Sequence, residues 1–361
     1  FVNYENVTEL LPLANSASFN GKTEYIFSIG SLNQPFEFAT LAVDKTEKNL
    51  GWQEGKLLNE KKYSFKNNSF NLIEETINEY ETLDQKTIEN FGVLFDYKLT
   101  TSNGQKWYRF TFYPLQTGRC KLIKSTQKNY FSNTTLVEKI MNFQYYTNTD
   151  LLKNRTSTTS RLNETLTTNY FYPINTEMAN KPFVNELVAK NRIGTPLVTQ
   201  TLKNSVKLSV QEIVFDNSAS TSNLLLPKYI YSNKGAAVIT AADKKITYDQ
   251  YDAKGNLVQY TPEAGVPVTI IWGYNKTQPI AKIENAAYAS INPSLITAAQ
   301  TASDTGTEDS LLAALTALRT GLPNAMVTTY THKPIIGVST ITDPKGDKIT
   351  YTYDSFSRLQ K

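Results

Sequence analysis

Tyr251-Asp252-Ala253-Lys254-Gly255-Asn256-Leu257 returns near the end of the chain as Tyr353-Asp354-Ser355-Phe356-Ser357-Arg358-Leu359. Each copy sets an aromatic and an aspartate before a short polar turn and closes on leucine. An aspartate at the head of a turn bonds its own backbone, so the pattern reads as strand, turn, strand. A chain that repeats such a unit builds a surface or a container sooner than a catalytic cleft.

The flanks extend the pattern. Residues 246–251 and 257–261 read as the two arms of a hairpin around the turn at 253–256. Residues 266–274 follow as an apolar strand with Pro267 near its start. At the end, 339–342 and 348–353 flank Asp343-Pro344-Lys345-Gly346, and Asp before Pro with Gly fourth is a type I turn signature. Upstream, 56–65 and 70–80 flank Lys66-Asn67-Asn68-Ser69, while Glu74, Glu75 and Glu79 leave the second arm open to a helical reading. The sharpest local signal is Ser102-Asn103-Gly104-Gln105, because both central positions tolerate positive φ. That turn predicts Leu99 facing Tyr108, Tyr97 facing Phe110 and Phe95 facing Phe112. The large apolar groups then share one face, and Asp96, Lys98, Thr100, Trp107, Arg109 and Thr111 the other. Consecutive hairpins make a meander, a long sheet that must curl or pack on another layer.

One stretch breaks the rule. Asn292 as N-cap and Pro293 at the first helical position open a helix to about 302. Thr307 caps a second over 308–320, with acids in the first turn, Gly321 as stop and Pro323 beyond. Leu311, Leu315 and Leu318 share one helical face, with Leu312 beside them. This helical hairpin, at about 292–322, is expected to cap or plug one side of the sheet; the alternative is a docking surface for another protein.

The two full units resemble the YD-repeat (RHS) family, whose pattern runs Tyr-Asp-x-x-Gly-Arg-Leu. The first copy has Asn256 where the family has Arg, and the second has Ser357 where it has Gly. Weaker echoes are 146–152, which keeps Tyr146 and Leu152, and the Phe215-Asp216 pair. The stretches 267–275, 279–285 and 322–330 resemble segments of RHS-like proteins of the Bacteroidetes type. The resemblance divides the chain into a degenerate RHS-like hairpin region, 1–205, and a repeat region with the helical insertion, 206–361. It implies an all-β fold: a long curved antiparallel sheet of consecutive hairpins, a segment of a β-shell, with a small α-helical insertion. It also implies a secreted or cell-surface bacterial protein whose shell encloses or presents an effector domain, as in polymorphic toxins. The implied partners are other segments of the same long polypeptide, an enclosed C-terminal effector, and secretion machinery or surface proteins. Tyr251, Asp252, Gly255, Tyr353, Asp354 and Arg358 are structural in this reading. Residue 1 is Phe and the chain stops just past Leu359, so it reads as a piece of a longer polypeptide.

Composition agrees. Only 19% of residues are charged, and 22 Tyr and 17 Phe favour pleated structure. The net charge of +4 is spread without basic blocks, too weak a signal to argue for nucleic acid or membrane binding, and the expectation is no nucleic-acid partner and no membrane span. No apolar run reaches bilayer-spanning length. A lone Cys120 excludes an internal disulfide, and a lone His332 excludes a two-His zinc motif. No phosphate-cradling glycine loop, dinucleotide fingerprint or Gly-x-Ser-x-Gly elbow occurs.

The remaining candidates have plain readings. His332 reads as a strand end before Pro334. Cys120 has Arg119 and Lys121 beside it, neighbours that activate a thiol, yet the alternation reads as a packed strand residue. Asp216, Asp252 and Asp354 invite a calcium reading, but each turn supplies one acid or two with Lys254 or Arg358 close by. Among Trp52, Trp107 and Trp272, Trp107 is the candidate for stacking on a sugar face, whereas Trp272 lies in an apolar strand and reads as core. The expectation is no catalytic residue, no cofactor and no metal. The alternative class is a carbohydrate- or surface-binding adhesin, for which Trp107→Ala on a glycan array is the discriminating experiment.

Overall fold

The computed structural model describes residues 4–12, 19–29, 51–96, 107–131, 136–147, 149–159, 164–235 and 238–360, with backbone alone for 89–96 and 107–115. The described residues form eighteen strands, and every strand pairing is antiparallel. The chain divides into two compact units, Phe1–Thr168 and Asn169–Lys361. The region of the full repeats lies inside the second.

The first unit carries β1 (Asn6–Pro12), β2 (Phe19–Phe27), β3 (Leu57–Lys66), β4 (Ser69–Asp96), β5 (Trp107–Tyr130), β6 (Leu136–Tyr145), β7 (Leu152–Thr158) and the start of β8 (Thr165–Phe171). From β1 to β7 each strand pairs with the next in sequence. Between β7 and β8, Thr159 N–H donates to the Glu164 carbonyl at 3.1 Å. The β3–β4 turn is Asn67-Asn68, both with positive φ (52° and 58°), the conformation a two-residue hairpin needs. The second arm is strand and not helix. Its glutamates have cross-strand partners: Glu74 with Lys62 at 2.9 Å, Glu79 with Lys124 at 2.7 Å, and Glu75 with the Tyr130 hydroxyl at 3.1 Å. Among the described residues this unit fully buries no large apolar side chain. Ladder hydrogen bonds and cross-strand pairs hold it.

The expected 93–114 hairpin forms in a different register. Phe95 pairs with Tyr108, Val93 with Phe110 and Phe91 with Phe112, four residues from the predicted alignment. Strand alternation has period two, so an offset of four keeps the same set of positions together. Cross-strand pattern therefore does not distinguish the two registers, and the predicted turn at 102–105 lies outside the described residues.

The second unit carries α1 (Val184–Ala189), then β9 (Val198–Lys203), β10 (Val206–Asp216), β11 (Leu226–Lys234), β12 (Lys244–Tyr251), β13 (Leu257–Pro262), β14 (Val268–Gly273) and β15 (Gln278–Glu284). Two helices follow, α2 (Pro293–Thr305) and α3 (Glu308–Thr320), then β16 (Met326–Lys333), β17 (Gly337–Thr342) and β18 (Lys348–Thr350). These strands again pair in order. The caps are as expected: Asn292 Oδ1 accepts Ser294 N–H at 3.0 Å and Thr307 Oγ1 accepts Ser310 N–H at 3.2 Å. Leu311, Leu315, Leu318, Ile296 and Ala299 pack on Ile271, Ile280, Ile283 and Val327 to form one core, so the helical hairpin covers one face of β14–β16. Burying each such aliphatic side chain contributes about 1.5–3 kcal/mol. A smaller core gathers α1 with Met178, Val210, Phe215 and Leu225. No helix among the described residues is long and apolar enough to cross a membrane.

Candidate functional site

The repeated turns are the site. In 252–256, Asp252 Oδ1 accepts the N–H of Lys254 at 2.9 Å and of Asn256 at 3.0 Å. Asp252 N–H donates to the Asn256 carbonyl, and Gly255 N–H to the Asp252 carbonyl, both at 2.9 Å. In 354–358 the network is reproduced: Asp354 Oδ1 accepts Phe356 N–H and Arg358 N–H at 2.9 Å each. Asp354 N–H donates to the Arg358 carbonyl at 2.9 Å and Ser357 N–H to the Asp354 carbonyl at 3.0 Å. In each loop the carboxylate accepts two backbone donors and closes its own turn. The Arg358 N–H, with its guanidinium and the Phe356 N–H, holds the Asp354 carboxyl below the usual range against a burial penalty.

The departures from the repeat pattern are accommodated locally. Arg358 Nε donates to Asp354 Oδ2 at 2.7 Å, and Asn256 Nδ2 reaches the equivalent Asp252 Oδ2 at 3.2 Å. Ser357 takes the left-handed position (φ 61°) that Gly255 takes at 84°. A third loop has the same build. Asp343 Oδ1 accepts the N–H groups of Lys345, Gly346 and Asp347 at 2.9 Å each, with Gly346 at φ 100°. Its sequence reads as an ordinary turn because Thr342, not a tyrosine, precedes it; the Asp-x-x-Gly spacing shared by 252–255 and 343–346 is the signal that finds it.

The tyrosine of each unit does a second job. Tyr251 Oη donates to the Pro227 carbonyl at 2.7 Å, and Tyr353 Oη to the Val338 carbonyl at 2.9 Å. Pro227 lies on β11, which pairs with Tyr251's own strand β12, and Val338 lies on β17, which pairs with β18 just upstream of Tyr353. Gly337 makes room in the second copy, since a Cβ there would sit 2.4 Å from the Tyr353 hydroxyl. The first unit holds the same hook twice. Tyr80 Oη donates to the Leu57 carbonyl at 3.1 Å and Tyr145 Oη to the Leu122 carbonyl at 2.9 Å. Burial pushes the phenols of Tyr80, Tyr145 and Tyr251 up. The 146–152 echo is thereby corrected. The hooking residue is Tyr145, and Tyr146 opens the loop where the full copies have aspartate, its N–H bonded to the Leu151 carbonyl at 3.0 Å. In the other echo, Phe215 has no hydroxyl and is buried in the α1 core, while Asp216 accepts Asn217 N–H at 2.8 Å.

The other candidates are placed as follows. His332 Nε2 lies 2.9 Å from the Pro279 carbonyl, so that nitrogen carries the proton, and its ring meets Tyr274 edge-on at 5.5 Å. Cys120 is half-buried opposite Thr82. The cations beside it are engaged elsewhere: Arg119 with Asp84 and Asp150, and Lys121 with Asp150 at 2.7 Å. Trp272 is half-buried and not in the core. Ile271 takes the helix-covered side, and Trp272 Nε1 donates to the Leu257 carbonyl at 2.8 Å. The backbone of Trp107 pairs with Asp96, and its side chain lies outside those described. Among the described residues no three His, Cys, Asp or Glu gather as metal ligands.

No protein-family model and no curated protein sequence matches the chain. Among solved structures, one described as "Crystal Structure of TcdB2-TccC3-TEV" aligns with 98% of this chain and 20% of that chain, at 10% identity and a TM-score of 0.43. The chain thus spans about a fifth of the solved chain it matches.

Proposed function

We propose that this chain is a structural wall segment of a larger secreted or cell-surface protein, which encloses or presents another domain and performs no chemistry of its own. One observation carries the reading. The polar atoms of the repeated Tyr-Asp unit are used inside the fold: the carboxylate closes its own loop, and the hydroxyl ties the strand to its predecessor. Side chains so engaged are staples. Their recurrence at Tyr80 and Tyr145 supports the same role for the first unit. The partners in this reading are neighbouring segments of the same polypeptide and the domain they hold.

The test uses the full-length protein. Limited proteolysis should cut linkers yet leave a neighbouring domain protected and co-eluting with this segment on gel filtration. A neighbouring domain that is digested at the rate it shows when free, or that separates at once, contradicts the containing role.

A further inference from the structure

The turn between β14 and β15 runs through Tyr274, Asn275 and Lys276, all left-handed, with φ of 50°, 56° and 61°. L-residues visit this region singly, and Gly, Asn or Asp supply most of the visits. No other run of three occurs among the described residues. Inside the turn, Thr277 N–H donates to the Gly273 carbonyl at 3.0 Å and Thr277 Oγ1 to the Tyr274 carbonyl at 2.6 Å. Backbone strain of this kind persists only where the surroundings over-determine it.

Here they act from two sides. From α2, Ser303 Oγ accepts Tyr274 N–H at 3.1 Å and Asp304 Oδ1 accepts Asn275 N–H at 2.7 Å. From the first repeat loop, Lys254 Nζ donates to the Asn275 carbonyl at 2.5 Å and Asn256 Nδ2 to the Lys276 carbonyl at 2.9 Å. These four bonds span 20 to 29 residues of sequence. Gly273 lets α2 come this close, since a Cβ there would collide with Ser303 Oγ. A second local rule is broken at the same place. Asp304 lies in the last turn of α2, where the helix dipole disfavours a carboxylate. The misplaced acid and the left-handed turn each satisfy the other.

We propose that residues 274–276 are a latch between the helical hairpin and the first repeat loop. Two N–H groups of the turn hold α2 and two of its carbonyls hold the loop, in a form that neither side maintains alone. When one clasp opens, the turn relaxes out of the left-handed region and the other clasp opens with it. The end of α2 and the loop at 252–256 are thereby coupled through the turn, and the coupling is reciprocal. The core beneath Leu311, Leu315 and Leu318 stays packed when the latch opens. The latch is independent of what the wall encloses.

Native-state hydrogen exchange on the full chain reads the latch. Asn256→Ala removes the clasp on the Lys276 carbonyl. It should speed exchange about fivefold at Asn275 N–H and at Gly306 N–H, the latter bonded to the Ala302 carbonyl at the end of α2. Lys254→Ala, which leaves the bonds of the Asp252 carboxylate in place, should do the same. In the other direction, Asp304→Ala should speed exchange at Gly255 N–H and Asn256 N–H by a similar factor. Combining Asn256→Ala with Asp304→Ala should have less effect than the product of the two singles. Lys276→Asn, better suited to the left-handed region, should slow exchange at both ends. Unchanged exchange at Gly306 N–H in both loop variants, or effects that multiply in the double variant, would show two separate contacts and overturn the proposal. So would faster exchange in Lys276→Asn.

Discussion

Removing one oxygen from Tyr251 should destabilise the protein by about 1 kcal/mol, because Tyr251→Phe leaves the Pro227 carbonyl without its donor. Urea denaturation is the check, with Tyr251→Leu as the larger lesion. Gly255→Ala tests the neighbouring loop. A methyl group there meets Leu224 and Leu226 at ordinary distances, so its cost is the left-handed backbone alone, about 1–2 kcal/mol. The loop aspartates are legible in the sequence because an Asx turn is a local event between a side chain and the next few N–H groups. The hooks are not. Each ties a phenol to a backbone carbonyl 15 to 24 residues earlier, and a carbonyl has no residue type to read. That is why the repeat pattern misses Tyr80 and aligns Tyr146 in place of Tyr145.

At the scale of elements, hairpins with a turn signal and helices with a cap are readable from residues alone. Asn67-Asn68 and the Asn292 and Thr307 caps are examples, since each fixes an end by local hydrogen bonding. The register of the 86–117 ribbon is not, because alternating aromatics satisfy more than one even offset. The helical hairpin makes the clearest energetic claim. Leu315→Ala removes a side chain that is 2% exposed in the core under α3, and should cost about 2–5 kcal/mol. The measurement is the thermal or urea midpoint. A change within error would mean that the hairpin only rests on the sheet and does not form its core. The same helix is tied to the strands at its start, where Thr331 Oγ1 donates to Glu308 at 2.7 Å.

Half-buried phenols recur along the described residues, with Tyr251 buried. Burial, with the Glu24 carboxylate beside it, pushes Tyr63 up to about 12, and burial raises Tyr80, Tyr145, Tyr248, Tyr251 and Tyr274 as well. Folded values above the unfolded one mean that the stability these groups contribute is complete below pH ~10 and falls as the pH rises through the folded values. Denaturation across about pH 8 to 12 should therefore show a contribution that holds to about pH 10 and falls above it, with a shallower fall in Tyr251→Phe and Tyr145→Phe. The central claim is that the Tyr-Asp units hold strands together and have no other task. Hydrogen exchange on the full chain tests it most directly. Tyr251→Phe combined with Asp252→Ala should strip protection from β11, β12 and β13 while the α2–α3 core keeps its own. Protection unchanged across those strands would show that the repeated turns do not staple the sheet, and would contradict the account.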